Sequence, residues 1–171
     1  MKQYQIKILS NESESFIMNI VAHDTLTFLD LHQGIQKALD YDPLQMASFF
    51  LSNDNWEKNT EITVINMEEE KALLMEDSLL GDYIKEENQK LLYVYDFFSE
   101  RAFFLFITKI EEIEEASFSI NVKGDVPLQI VIDIEEETST TNNENILDEF
   151  DDFDEDENWN QNISLDDLED Y

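Results

Sequence analysis

A chain of 171 residues has room for one domain of ordinary size with an appendage, and its 42% apolar content, with 12 Phe and 6 Tyr, supplies an aromatic core. Its charge is lopsided: 41 acids stand against 10 bases, a formal −31 at pH 7, which repels phosphate backbones and anionic bilayers and argues against direct nucleic-acid or membrane binding. No cysteine is present, so disulfides, thiolate nucleophiles and Cys-ligated metals are excluded, and no apolar run reaches the roughly 18 residues of a membrane span.

In chain order, Tyr4, Ile6 and Ile8 alternate with polar neighbours, and the alternation resumes at Phe16, Met18 and Ile20 beyond Asn11-Glu12-Ser13. Two half-buried strands joined as a hairpin are expected. Thr27 followed three residues later by Asp30 has the form of a capping box. Phe28, Leu31, Ile35, Ala38 and Leu39 then recur at helical spacing, which predicts a helix over 28–40 that stops ahead of Pro43. Residues 47–51 and 62–65 read as short strands. Between 67 and 84 the apolar residues follow no single period, and a short turn or helix with a second helix capped by Asp77 or Ser78 is expected. Leu91 to Phe97 and Ala102 to Ile107 are nearly continuous apolar runs, hence central strands covered on both faces. Leu31 and Ile35 should pack against Tyr93, Tyr95 or Phe104. Alternation at 118–122 and 130–134 adds two more strands. The class is α+β, a mostly antiparallel sheet with a hairpin followed by a packed helix, which invites comparison with β-grasp folds.

Lys123 is the last basic residue. Of the acids, 23 lie in residues 1–123 and 18 after them, which divides the charge into about −13 and −18. Apolar periodicity ends near Ile134 and a polar linker, Thr138-Ser139-Thr140-Thr141-Asn142-Asn143, follows. The expected organisation is a domain over 1–135 and an acidic, largely disordered tail over 136–171. Phe150, Phe153, Trp159, Ile163, Leu165 and Leu168 are interleaved with those acids, as in segments that fold on a partner. Burying a large apolar side chain contributes about 1.5–3 kcal/mol, while ordering each residue costs about 1–2 kcal/mol in backbone freedom. The arm therefore cannot order itself, and docking on a basic protein partner is the leading functional expectation.

The order of motifs resembles the plasmid pRiA4b ORF-3-like family, some members of which are described as passenger proteins of an insertion element. The matching residues are Tyr4-Gln5-Ile6-Lys7-Ile8, then Thr25-Leu26 with Leu31-His32 and Ile35-Gln36 ahead of Tyr41-Asp42, then Leu79-Leu80, Leu92-Tyr93-Val94-Tyr95-Asp96-Phe97 and Gly124-Asp125-Val126-Pro127. The resemblance covers roughly residues 3–130 and implies an α+β domain whose strands close around the helix. Where family members continue with glycine, an acid, tryptophan and histidine, this chain reads Phe98-Ser99-Glu100-Arg101-Ala102-Phe103.

Catalytic signals are sparse. His23 and His32 are too far apart in sequence to form a helical metal pair, and three glycines cannot build a dinucleotide fingerprint or phosphate loop. Asp152, Asp154 and Asp156 imitate a calcium loop, but Glu157 and Ile163 occupy positions that need glycine and a bidentate acid. No catalytic, cofactor or metal site is expected. His32, a histidine at the helix edge, remains a pocket candidate with Asp96 and Arg101, since an acid inside an apolar strand must face water, accept backbone donors or pair with a base. The protein is thus expected to be a non-enzymatic cytoplasmic interaction module, possessing no cofactor. Its alternative is a small-ligand protein or enzyme using a cleft between helix 28–40 and the sheet.

Overall fold

Alternation places Tyr4, Ile6 and Ile8 on one face of β1 (Lys2–Ser10), opposite Ala22, Ile20 and Met18 of β2 (Ile17–His23). All six are buried, so a slip of one residue would turn the whole row into water. The structure is a computed structural model that describes residues 1–66 and 72–129. By its contacts the chain divides into Met1–Ile132 and Asp133–Tyr171, and every element below belongs to the first unit. The strand expected at 130–134, the boundary at 135 and the acidic segment 136–171 lie outside the described residues.

Helix α1 (Phe28–Leu39) starts in the expected capping box: Thr27 Oγ1 accepts from the Asp30 backbone N–H at 3.1 Å, and the Asp30 carboxylate accepts from the Thr27 N–H at 2.8 Å. It stops one residue earlier than expected, because Asp40 turns left-handed at φ 56° and the Tyr41 N–H closes on the Gln36 carbonyl. Its buried stripe is Phe28, Leu31, His32, Ile35, Gln36 and Leu39, whereas Ala38 is exposed.

Eight strands form one sheet among the described residues, in the order β5-β4-β3-β6-β7-β1-β2-β8. The remaining strands are β3 (Ser48–Ser52), β4 (Lys58–Thr63), β5 (Leu73–Leu74), β6 (Lys90–Asp96), β7 (Arg101–Glu112) and β8 (Ser119–Lys123). All neighbours are antiparallel except β4 and β5. The architecture is α+β. The charged run after Ile110 is still strand as far as Glu112. The short α2 (Leu80–Tyr83) has Leu79 at its N-cap with no side-chain cap, so neither Asp77 nor Ser78 performs the expected role.

Helix α1 touches strands that are not neighbours. Phe28 meets the ring of Phe49 on β3 at 5.1 Å, and a Cβ added to Gly34 would stand 2.7 Å from the ring of Phe118, beside β8. The sheet must therefore curl around the helix, and Gly34 permits the close approach. The helix-facing row of the central strands is Phe49, Tyr93 and Phe103, with Tyr95 stacked on Phe103 at 4.6 Å. The expectation for Phe104 is corrected here: it points to the other face with Phe106, half-buried, where Trp56 packs edge-on at 4.9 and 5.0 Å. Among the described residues, a loop indole covers the outer face there.

Candidate functional site

His32, Asp96 and Arg101 do not form one cluster. His32 is fully buried rather than at the helix edge, with its Nδ1 2.8 Å from the Tyr93 hydroxyl. Burial lowers its pKa from 6.5 to about 4 and the ring is neutral. His23 lies elsewhere, bonded to Thr25 at 2.8 Å. No three His, Asp or Glu side chains converge as metal ligands would among the described residues.

Asp96 and Arg101 do meet, across the β6–β7 turn. Asp96 Oδ1 accepts the backbone N–H groups of Phe98 and Ser99 at 2.9 and 3.1 Å, and Oδ2 accepts Arg101 Nε at 3.1 Å. The Ser99 N–H, then Arg101 and Phe98, hold this carboxyl below its ordinary range against the opposing effect of burial. The Arg101 guanidinium also donates to Glu12 at 3.0 Å and to the carbonyls of Leu128 and Gln129 at 2.7 and 2.5 Å. Burial would depress its pKa, but the bonds to Asp96 and Glu12 outweigh burial and raise it. It lies 5.2 Å over the ring of Tyr95. Two further ties reach the same segment: the Tyr41 hydroxyl donates to the Pro127 carbonyl at 2.6 Å, and the Asp42 N–H donates to Gln129 Oε1 at 2.7 Å. Burial, followed by Tyr95 for Tyr41 and Glu12 for Tyr95, pushes both phenols up, so they remain protonated. Every charge here has a partner. The arrangement is a clamp that fixes residues 127–129 against the sheet.

One side of the clamp forms a wall of a groove of about 730 Å³. Ser48, Glu61 and Thr63 line it from β3 and β4, Leu73 from β5, and Tyr95 with Asp96 from β6, where the register shifts after Val94. Ser48 precedes Phe49, which faces the helix, so by strand alternation Ser48 faces away from it. The groove is therefore on the outer side of the sheet, and the space between α1 and the sheet is filled by Phe28, Leu31 and Ile35. The cleft expected between helix 28–40 and the sheet is corrected accordingly. The rim carries Leu44, Met46, Ile65, Phe97 and Phe98, all exposed, with Phe98 as open as in an extended chain at 104%. At the floor Ser48 is 1% exposed and its hydroxyl has no hydrogen-bond partner. Sequence reasoning missed these residues. The available signal was the placing of Phe98 and Leu44 in connecting segments, where polar residues prevail; Phe97, expected as the end of a central strand, lies past β6, which stops at Asp96.

Among the described residues, a curled, mostly antiparallel sheet clasping α1, with an apolar groove on its outer side, defines an α+β domain. The solved structure of MM3350 from Methanosarcina mazei Go1, a protein of unknown function, is similar: TM-score 0.55 and 24% identity, over 69% of this chain and 68% of that one, a likeness that shows the fold. The chain belongs to the plasmid pRiA4b ORF-3-like protein family, whose family model matches residues 2–161 and so takes in most of the acidic segment as well as the domain. No curated protein matches it. No helix among the described residues is long and apolar enough to cross a membrane.

Proposed function

We propose that the protein is a non-enzymatic cytoplasmic interaction module for a basic protein partner, with a β-grasp-like domain as scaffold, and that it serves a mobile element. The observation that supports this most is the groove: exposed apolar side chains at its rim, carboxylates but no Lys or Arg among its described lining residues, on a chain of net −31. Exposed apolar patches with a polar surround are what protein partners cover. The acidic arm with Phe150, Phe153, Trp159, Ile163, Leu165 and Leu168 extends the same chemistry. A captured basic partner, titrated against the full chain at rising salt, should bind progressively more weakly and weaker again when Trp159, Leu165 and Leu168 are replaced by Ala. Affinity indifferent to both changes would refute the docking role of the arm. A second reading, a small-ligand protein, draws support from the groove volume, which is in the range of small-molecule sites.

A further inference from the structure

Resting on that reading, we infer that the outer groove holds an apolar-cationic peptide segment of the partner, its apolar side chains against Leu44, Ile65 and Phe98 and a basic group at Glu61. Three observations select this occupant. The rim side chains stand clear of the surface, Leu44 at 89% and Phe98 at 104% exposure, so they bury their area against an incoming surface; a small molecule sunk in the groove would leave them in water. The charges of the lining select a cation. Asp96 has both oxygens engaged by Phe98, Ser99 and Arg101, which leaves Glu61 as the exposed carboxylate among the described lining residues, none of which is basic. Finally, Ser48 presents a buried hydroxyl without a partner. A hydroxyl both donates and accepts, and the N–H or C=O of a peptide backbone supplies what it lacks.

The test uses the full chain and two dye-labelled peptides of equal length and charge, one alternating Lys with Leu and the other Lys with Ser, followed by fluorescence anisotropy. Each buried Leu is worth about tenfold or more, so the Lys-Leu peptide should bind more tightly by at least that factor. Leu44→Ser combined with Phe98→Ser, both at exposed positions that leave the core intact, should abolish the difference and leave the salt-sensitive binding common to both peptides. Ser48→Ala should weaken the Lys-Leu peptide about two- to tenfold while the urea midpoint of the free chain holds or rises, because an unpaired buried hydroxyl has been removed. Lys-Leu binding no tighter than Lys-Ser overturns the groove assignment, and if both still bind in a salt-dependent way the proposed function stands without it. If neither peptide binds, both fall. Decylamine bound in the groove as tightly as the Lys-Leu peptide, or self-association of the chain abolished by the rim variant, would reassign the site to a small amphiphile or a second copy and refute the peptide.

Discussion

Lowering the pH should destabilise the domain through one buried imidazole. His32 is 3% exposed and bonded to a Tyr93 hydroxyl that is itself fully buried, and burial lowers its pKa from 6.5 to about 4. With the folded value below the unfolded one, the unfolded chain takes up the proton first. The stability held by this group is therefore intact above about pH 6.5 and is lost as the pH falls toward about 4. At pH 5 the unfolded imidazole is almost fully charged and the folded one is hardly so. The difference amounts to about 2 kcal/mol against folding, approaching about 3.4 kcal/mol at lower pH. Self-repulsion acts in the opposite direction, since protonating acids on a chain of −31 relieves it. The measurement is accordingly a difference: urea unfolding of the wild type and of His32→Leu, from about pH 7.5 down to 5, safely above the pI near 4.1. His32→Leu loses the bond to Tyr93 at every pH, so the offset between the two curves is uninformative and their divergence is the readout. They should diverge by about 2 kcal/mol on reaching pH 5. Parallel curves would show that His32 titrates as it does in the unfolded chain, and the burial argument would fail.

Arg101→Met should cost about 1–3 kcal/mol in urea unfolding, because it strands a part-buried network of Asp96, Glu12 and two carbonyls. Arg101→Lys, which keeps the charge but not the planar fork, should recover less than half of that loss, and a loss below about 1 kcal/mol for Met would mean that water replaces the clamp. Gly124→Ala should destabilise more than Gly34→Ala. At Gly124 the φ of +81° and a backbone oxygen, that of Ser15, 1.9 Å from the added Cβ leave no escape, whereas at Gly34 the obstructing atoms are the tips of Phe118 and Ile120 side chains. The reverse order of urea midpoints would contradict this account.

How far the fold was legible follows from how many faces a strand buries. β1, β2 and α1 each bury one face, so their period is written in the sequence, and Tyr4, Ile6, Ile8, Phe28, Leu31 and Ile35 were assigned to the core from spacing alone. β7 carries aromatic residues on both faces, and a continuous run conceals its phase. Only the pairing of Asp96 with Arg101 and of Tyr93 with Phe103 decides that Phe103 faces the helix and Phe104 does not. Burial of His32 was illegible for a related reason: a histidine between Leu31 and Gln33 falls beside the apolar stripe, and its tolerance for the core depends on a hydroxyl 61 residues away. The groove is less legible still, because its lining comes from the segment after α1, from β3 to β6 and from residue 129.

The clamp occupies an intermediate position. Asp96 inside an apolar strand already demanded a partner, and Arg101 was within reach in sequence, but Glu12 lies 89 residues from Arg101 and no local signal announces it. The structure also gives the motif spacing a physical meaning. Tyr41-Asp42, Asp96-Phe97 and the segment through Pro127 are scattered over the chain, yet Tyr41 bonds the Pro127 carbonyl, Asp42 bonds Gln129, and Arg101, held by Asp96, bonds Leu128 and Gln129. These segments build one joint. The joint therefore ties Tyr41, Asp42, Asp96 and Pro127, which carry the family resemblance, through Arg101, which lies where this chain departs from it, and the binding chemistry should be sought in the side chains the joint holds at the rim of the groove.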